Sequence, residues 1–142
     1  MTRVLYTKQS GSKHFAIVDS GMNDLIRPTL YDAFHFIWPA QVDDKFTISS
    51  RQANPDIDGL EPYDIVGPIC ETGDCFGKDR FLPPVKRGDL LAVYTAGAYG
   101  FTMSSQYNAR PRVAEVLVDG KLTRLIRRRE TYEDLVAAES FD

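Results

Sequence analysis

The chain has 142 residues, 43% of them apolar, with 17 lysines and arginines against 20 aspartates and glutamates and a formal charge of −3. That is the size of one domain, with enough apolar surface to build a core. The mixed, slightly acidic balance excludes broad electrostatic binding to nucleic acid or an anionic membrane, and no apolar run is long enough to span a bilayer.

Arg3–Gln9 and His14–Asp19 are β-rich runs separated by Ser10-Gly11-Ser12, a hairpin signal with a turn longer than the favoured two residues. His14 reads as a surface strand residue. Gly21–Ala33 changes character: Asn23 or Asp24 can cap a short helical piece, and Pro28 suits the first turn of another. Arg27 and Tyr31 stand four apart, so a helical turn puts them on one face. A guanidinium fork beside a phenol is a good carboxylate receptor; a surface Arg with a packed Tyr is the plainer account.

Phe34–Ala40 reads as a third strand, bulky on both faces, with His35 a hydrogen-bonded core histidine. Gln41–Asp64 is polar and broken by Asn54-Pro55, Asp58-Gly59 and Glu61-Pro62; it reads as a long excursion with an irregular or edge segment near Phe46–Ser49. Tyr63–Ile69 is a strand that runs into Gly67-Pro68-Ile69-Cys70-Glu71-Thr72-Gly73-Asp74. A thiol and a carboxylate side by side, where a strand breaks into a glycine-containing turn, are reactive groups on a rigid support. The bland alternative is a buried Cys beside a solvated Glu.

Cys75–Val85 follows as an extended connector, Lys86-Arg87-Gly88-Asp89 as a turn and Leu90–Thr95 as a buried strand. In Gly97-Ala98-Tyr99-Gly100 the glycines permit close backbone approach and leave the Tyr99 ring free to enter a cleft. Arg112–Val118 and Lys121–Arg127 are strands joined by Asp119-Gly120, a strong hairpin signal. Thr131 with Asp134 resembles a capping box opening a short C-terminal helix. The basic run Arg124, Arg127, Arg128 and Arg129 precedes acidic residues and reads as a self-compensated surface. Cys70 and Cys75 lack zinc-ligand spacing and a second ligand pair, and read as reduced thiols of a cytoplasmic protein. The count is about seven strands and one or two short helices in a single domain spanning residues 1–142: a mainly β barrel or sandwich.

Four segments together, Arg27-Pro28-Thr29-Leu30-Tyr31, Gly67–Asp74, Gly97–Gly100 and Met103-Ser104-Ser105-Gln106-Tyr107-Asn108, closely resemble the C-terminal β-domain of the diaminopimelate decarboxylases. Arg128–Asp134 is similar to that family's end. The resemblance covers nearly the whole chain. It implies a fold-type III enzyme dependent on pyridoxal 5'-phosphate, in which an N-terminal (β/α)8 barrel, absent from these residues, carries the cofactor lysine. It also implies two subunits paired head to tail around an amino-acid substrate. Carried over by motif, Cys70 is the proton donor, contributed across the dimer; Arg27, Tyr31 and Glu71 bind substrate; Tyr99 contacts substrate and cofactor. Glu71, where related ornithine and arginine decarboxylases usually have Asp, and the retained Arg27 favour the diaminopimelate branch.

None of Lys8, Lys13, Lys45, Lys78, Lys86 and Lys121 occupies a family motif, so the chain alone is expected to be inactive. The abrupt start at Met1 fits a segment cut from a longer chain. The alternative is a non-catalytic binding or regulatory module that kept the domain and lost catalysis. An apolar patch near Phe34–Trp38 or Tyr99–Phe101, covered by self-association, is expected of a domain separated from its barrel.

Overall fold

The computed structural model describes residues 1–140. Its strands are β1 (Thr2–Ser10), β2 (Lys13–Val18), β3 (Ile37–Pro39), β4 (Glu61–Val66), β5 (Cys75–Leu82), β6 (Leu90–Val93), β7 (Glu115–Asp119) and β8 (Leu122–Arg127). Two five-residue helices, α1 (Arg27–Tyr31) and α2 (Tyr132–Val136), complete the regular structure with three short 3-10 turns. Six strands form one sheet in the order β3-β6-β1-β2-β4-β5, and β7-β8 stand apart as a hairpin. The end strands β3 and β5 approach within 8 Å between Cα atoms, so the sheet curls toward a barrel, although no ladder joins them.

Every ladder is antiparallel except β2–β4, where Phe15, Ala16 and Ile17 lie beside Asp64, Ile65 and Val66. A parallel pair needs a long crossover between its strands. Here residues 19–60 supply it, carrying α1, β3 and the 3-10 turn Asp44–Phe46. Because β2 and β4 run the same way, the chain leaves both at the same end of the sheet.

The core is the inward face of this sheet. Val4, Ala16, Val18, Ile65 and Leu91 are wholly buried. Phe36 stacks on Trp38 with ring centroids 5.5 Å apart. His35 is buried as expected, its Nδ1 3.0 Å from the Tyr94 carbonyl. The long excursion is anchored by Phe46, with Ile48, Ile57 and Leu60 packed against the same core.

Several expectations need correction. The first hairpin turn is the two-residue Gly11-Ser12, because Gly11 takes φ +59° and lets Ser10 pair directly with Lys13. The second turn is Gly120-Lys121, one residue later than expected, with Gly120 at φ +56° and Asp119 paired to Leu122. Phe46 belongs to a 3-10 turn, not an edge strand. Cys75–Leu82 is a full strand, and a bulge near Asp79, whose φ is +49°, hides its alternation. That makes eight strands. Glu61-Pro62 opens β4 instead of ending the loop; proline is tolerated there because the pairing with β2 begins only at Asp64. Phe34–Trp38 does not form an exposed patch: Phe36, Ile37 and Trp38 are core, and only Phe34 is exposed. At the other expected place Tyr99 is exposed and Phe101 half-buried, and further large exposed apolar side chains lie on β7–β8, at Val116, Leu117, Val118, Leu122, Leu125 and Ile126.

The C-terminal segment is fastened by charge. Thr131 and Asp134 form the reciprocal capping box of α2, and Arg128 grips Asp134 through both guanidinium nitrogens. Arg127 pairs with Glu115 across the hairpin at 2.6 Å. Glu130 accepts hydrogen bonds from the Arg112 Nε at 2.7 Å, the Arg112 backbone N–H at 2.9 Å and the Gln106 amide at 3.0 Å. The Arg112 side chain and the Gln106 amide, in that order, hold its carboxyl at about 2.

Two outcomes follow. Ile65→Ala removes a wholly buried side chain from the middle of the sheet and should lower stability by about 2–5 kcal/mol in urea unfolding. Because Glu130 titrates below its ordinary value of 4.5, its contribution is complete above that pH and disappears as pH falls from 4.5 toward about 2. A urea-midpoint advantage over Glu130→Gln should therefore be present near about pH 6 and vanish by about pH 2.

Candidate functional site

α1 is only five residues long, and its limits are set locally. Pro28 sits in the first turn, where its missing N–H costs nothing. Asp32 takes the left-handed conformation at φ +55° and closes the helix through its backbone N–H to the Arg27 carbonyl. This single turn presents Arg27 and Tyr31. The Arg27 guanidinium lies over the Tyr99 ring, 5.1 Å from its centroid, a cation–π contact between segments 72 residues apart in sequence. Gly100 is required beside Tyr99, since a Cβ there would strike the Ala96 carbonyl oxygen. Among the described residues Arg27 has no acidic partner, and Tyr31 and Tyr99 are both exposed.

Cys70 and Glu71 lie on the loop that leaves β4, residues 67–74, and both side chains are exposed. The loop is drawn to α1 by Thr29, whose hydroxyl donates to the Gly73 carbonyl at 2.5 Å. The Tyr99 segment reaches the same sheet end through Ser105, whose N–H donates to the Asn23 carbonyl at 2.9 Å. Arg110 adds a bond to the Asp19 carbonyl at 2.6 Å. Loops 19–26, 67–74 and 99–110 therefore cluster. Within that cluster the structure joins Arg27 to Tyr99 directly. No hydrogen bond, ion pair or ring contact among the described residues joins Cys70 or Glu71 to Arg27, Tyr31 or Tyr99.

A cleft of about 340 Å³ opens between α1 and the start of β5, lined by Thr29, Asp32, Thr72, Cys75, Lys78 and Arg80. Burial pushes the Cys75 thiol up and the Arg80 guanidinium down from their ordinary values. Arg80 rests on the Phe34 ring, 4.5 Å from its centroid. Cys70 and Cys75 are both free thiols.

Sequence reasoning overlooked Thr29, Asp74 and Arg80. Thr29 and Asp74 lie inside motifs whose neighbours were assigned roles. Their contributions are hydrogen bonds to backbone on another loop, which no spacing rule displays. Arg80 was hidden because β5 was taken for a connector.

The architecture defines a sheet domain that carries thiol, carboxylate and guanidinium side chains on loops clustered at one end. Comparison with known proteins gives that class its family. A family profile described as "Pyridoxal-dependent decarboxylase, C-terminal sheet domain" matches residues 1–97, and the chain belongs to that family. It is 54% identical over 140 residues to the diaminopimelate decarboxylase of Pseudomonas aeruginosa, covering 99% of this chain and 30% of that protein. Against the diaminopimelate decarboxylase of Aquifex aeolicus it is 51% identical over 136 residues, covering 96% of this chain and 29% of the relative. The crystal structure of diaminopimelate decarboxylase from Helicobacter pylori complexed with L-lysine superposes with a TM-score of 0.79 at 42% identity, covering 96% of this chain and 30% of that one. The chain thus spans about 30% of the length of the relatives it matches.

The two thiols differ in a way that labelling can read. Cys70 is exposed, whereas Cys75 is half-buried and kept protonated by its burial. Near neutral pH, iodoacetamide should modify Cys70 at least about tenfold faster than Cys75, since the thiolate is the nucleophile. Peptide mapping after partial reaction checks this, and equal rates would contradict the placement of Cys75.

Proposed function

We propose that this chain is the substrate-recognition and subunit-pairing part of a diaminopimelate decarboxylase, acting in the cytoplasm with its thiols reduced. In this reading it contributes to releasing carbon dioxide from meso-2,6-diaminopimelate and leaving L-lysine, a step of lysine biosynthesis. The observation that carries the reading is Arg27. Its guanidinium lies on an exposed aromatic ring with no acidic partner among the described residues, in a chain about half identical over nearly its whole length to proteins of that name.

Diaminopimelate has a second amino-acid centre distant from the bond that breaks. Arg27 pairs with the carboxylate of that centre, Tyr31 adds a hydrogen bond, and Glu71 holds its ammonium group. A site built on such polar partners rejects analogues lacking them, because its own groups are then left unpaired. The relative from Helicobacter pylori is complexed with L-lysine, which is what diaminopimelate becomes when one carboxylate is lost.

The residues present suit a supporting role toward pyridoxal phosphate. Tyr99 offers an exposed ring and hydroxyl, while no lysine lies on α1, on loop 67–74 or on the Tyr99 loop. Lys13 is committed to Asp79 at 2.6 Å and Asp64 at 3.5 Å. In this reading the covalent lysine belongs to a barrel contributed by another part of the enzyme, since the relatives are more than three times as long as this chain. When bound, pyridoxal phosphate supplies the electron sink for the pair left behind by departing carbon dioxide. Cys70 returns a proton to the carbon through its Sγ–H, from a loop aimed across a subunit interface. That no hydrogen bond or ion pair among the described residues ties the Cys70 loop to Arg27 or Tyr99 fits a site shared by two subunits.

The chain alone, mixed with pyridoxal phosphate, should develop no lysine-bound chromophore and release no carbon dioxide. Adding a separately produced barrel portion of a close relative should restore carbon dioxide release from meso-diaminopimelate. Arg27→Ala in the restored enzyme should raise KM by at least about tenfold. Turnover by the chain alone, or an assembled enzyme inactive on diaminopimelate, would defeat the reading.

A further inference from the structure

We infer that Asp74 is the positioning residue for the Cys70–Glu71 peptide, holding the thiol–acid loop against the segment that leads into α1. The catalytic part of this inference rests on the decarboxylase reading; the structural part does not.

Asp74 is 4% exposed and has no ion-pair partner among the described residues. Its two carboxylate oxygens are used separately. One accepts the Ile69 N–H at 2.6 Å, immediately before Cys70. The other accepts the Met22 N–H at 2.7 Å, across 52 residues of sequence. The Asp74 backbone closes the same loop from within: its N–H donates to the Glu71 carbonyl at 3.0 Å, and its carbonyl accepts the Gly67 N–H at 3.0 Å. Four hydrogen bonds thus bracket Cys70 and Glu71, which themselves point into solvent.

The surroundings are cut to this carboxylate. A Cβ on Gly67 would fall on the Asp74 carboxylate group, and one on Gly21 would meet Ile69 and Asn23 side-chain atoms. Gly67 therefore makes room for the acid itself, and Gly21 for the Ile69 and Asn23 side chains beside it. Asparagine has the right shape but only one accepting oxygen, so it loses one of the two bonds and sets its NH₂ against a backbone N–H. Loop 19–26 continues into Arg27, so the clamp ties the thiol–acid loop to the segment leading into α1 of the same chain. Thr29 bonding to the Gly73 carbonyl supplies a second, weaker tie on the far side.

The test is amide hydrogen exchange on this chain, together with kinetics of the assembled decarboxylase. Asp74→Asn should lower protection of the Met22 or Ile69 amide at least about tenfold while the β1 and β4 amides keep theirs; in Asp74→Ala both should fall. If Asp74→Asn loosens the whole sheet, Gly67→Ala decides the matter: it displaces the carboxylate without removing it and should free the same two amides alone. Unchanged protection of Met22 and Ile69 in these variants overturns the clamp, whatever the activity. In the assembled enzyme Asp74→Asn should lower kcat about 100-fold, the cost of a misplacement of about 1 Å. That loss should be absent when Asp74→Asn is added to Cys70→Ala, because Asp74 acts through the thiol. Full multiplication of the two losses overturns the positioning role. Freed amides with full activity overturn the positioning role and leave only the structural clamp, whereas full activity in Cys70→Ala overturns the role given to Cys70 and leaves the clamp standing.

Discussion

The parallel ladder between β2 and β4 is the constraint on which the rest of the molecule depends. Had β4 paired antiparallel, the chain would leave Val18 and Val66 at opposite ends of the sheet. Loops 19–26 and 67–74 would then lie a strand length apart. Pairing Ile17 with Val66 in parallel sends both loops out together, which brings the Met22 N–H to the Asp74 carboxylate and Thr29 to Gly73. The parallel arrangement requires a long crossover, and the crossover carries Arg27 and Tyr31. The site is thus a consequence of topology first and of side-chain chemistry second.

The charged side chains divide into two populations. Arg112, Arg127 and Arg128 are each committed to a carboxylate and fasten the hairpin and α2 to the chain before them. Such exposed pairs contribute modestly to stability, but together they fix where the C-terminal segment lies. Arg27 is different: among the described residues its guanidinium has an aromatic ring and no acidic partner. A cation stabilises the fold when it is paired and can receive a ligand when it is not. The exposed apolar side chains on both faces of β7–β8 make a similar statement for burial. Neither face is covered within a chain that spans about 30% of its relatives' length.

Much of the fold was legible because hairpins and half-buried strands are local events. Gly11 and Gly120 announced their turns, Leu90–Val93 its strand and Thr131 with Asp134 its helix cap. What failed, failed where tertiary contacts overrode a local pattern. Asp79 and Gly77 break the alternation of β5, yet the strand persists because β4 supplies its ladder and Asp64 accepts the Asp79 N–H at 2.8 Å. The aromatic run at Phe34–Trp38 suited either a core or an interface by its bulk; the stacking of Phe36 on Trp38 inside the curled sheet placed it in the core.

The sequence by itself determined the inventory: which residues carry a thiol, a carboxylate, a guanidinium and a phenol, which segments hold them, and which known family arranges those segments in that order. These are properties of residue type and short spacing, so a linear string displays them. Only the tertiary structure decided that Arg27 lies on Tyr99, that Cys70 and Glu71 are exposed on the loop after β4, and that buried Asp74 joins two loops 52 residues apart. Those facts depend on strand direction and on hydrogen bonds to backbone atoms, which every residue possesses alike. Side-chain identity therefore carries no mark of them until the sheet is assembled.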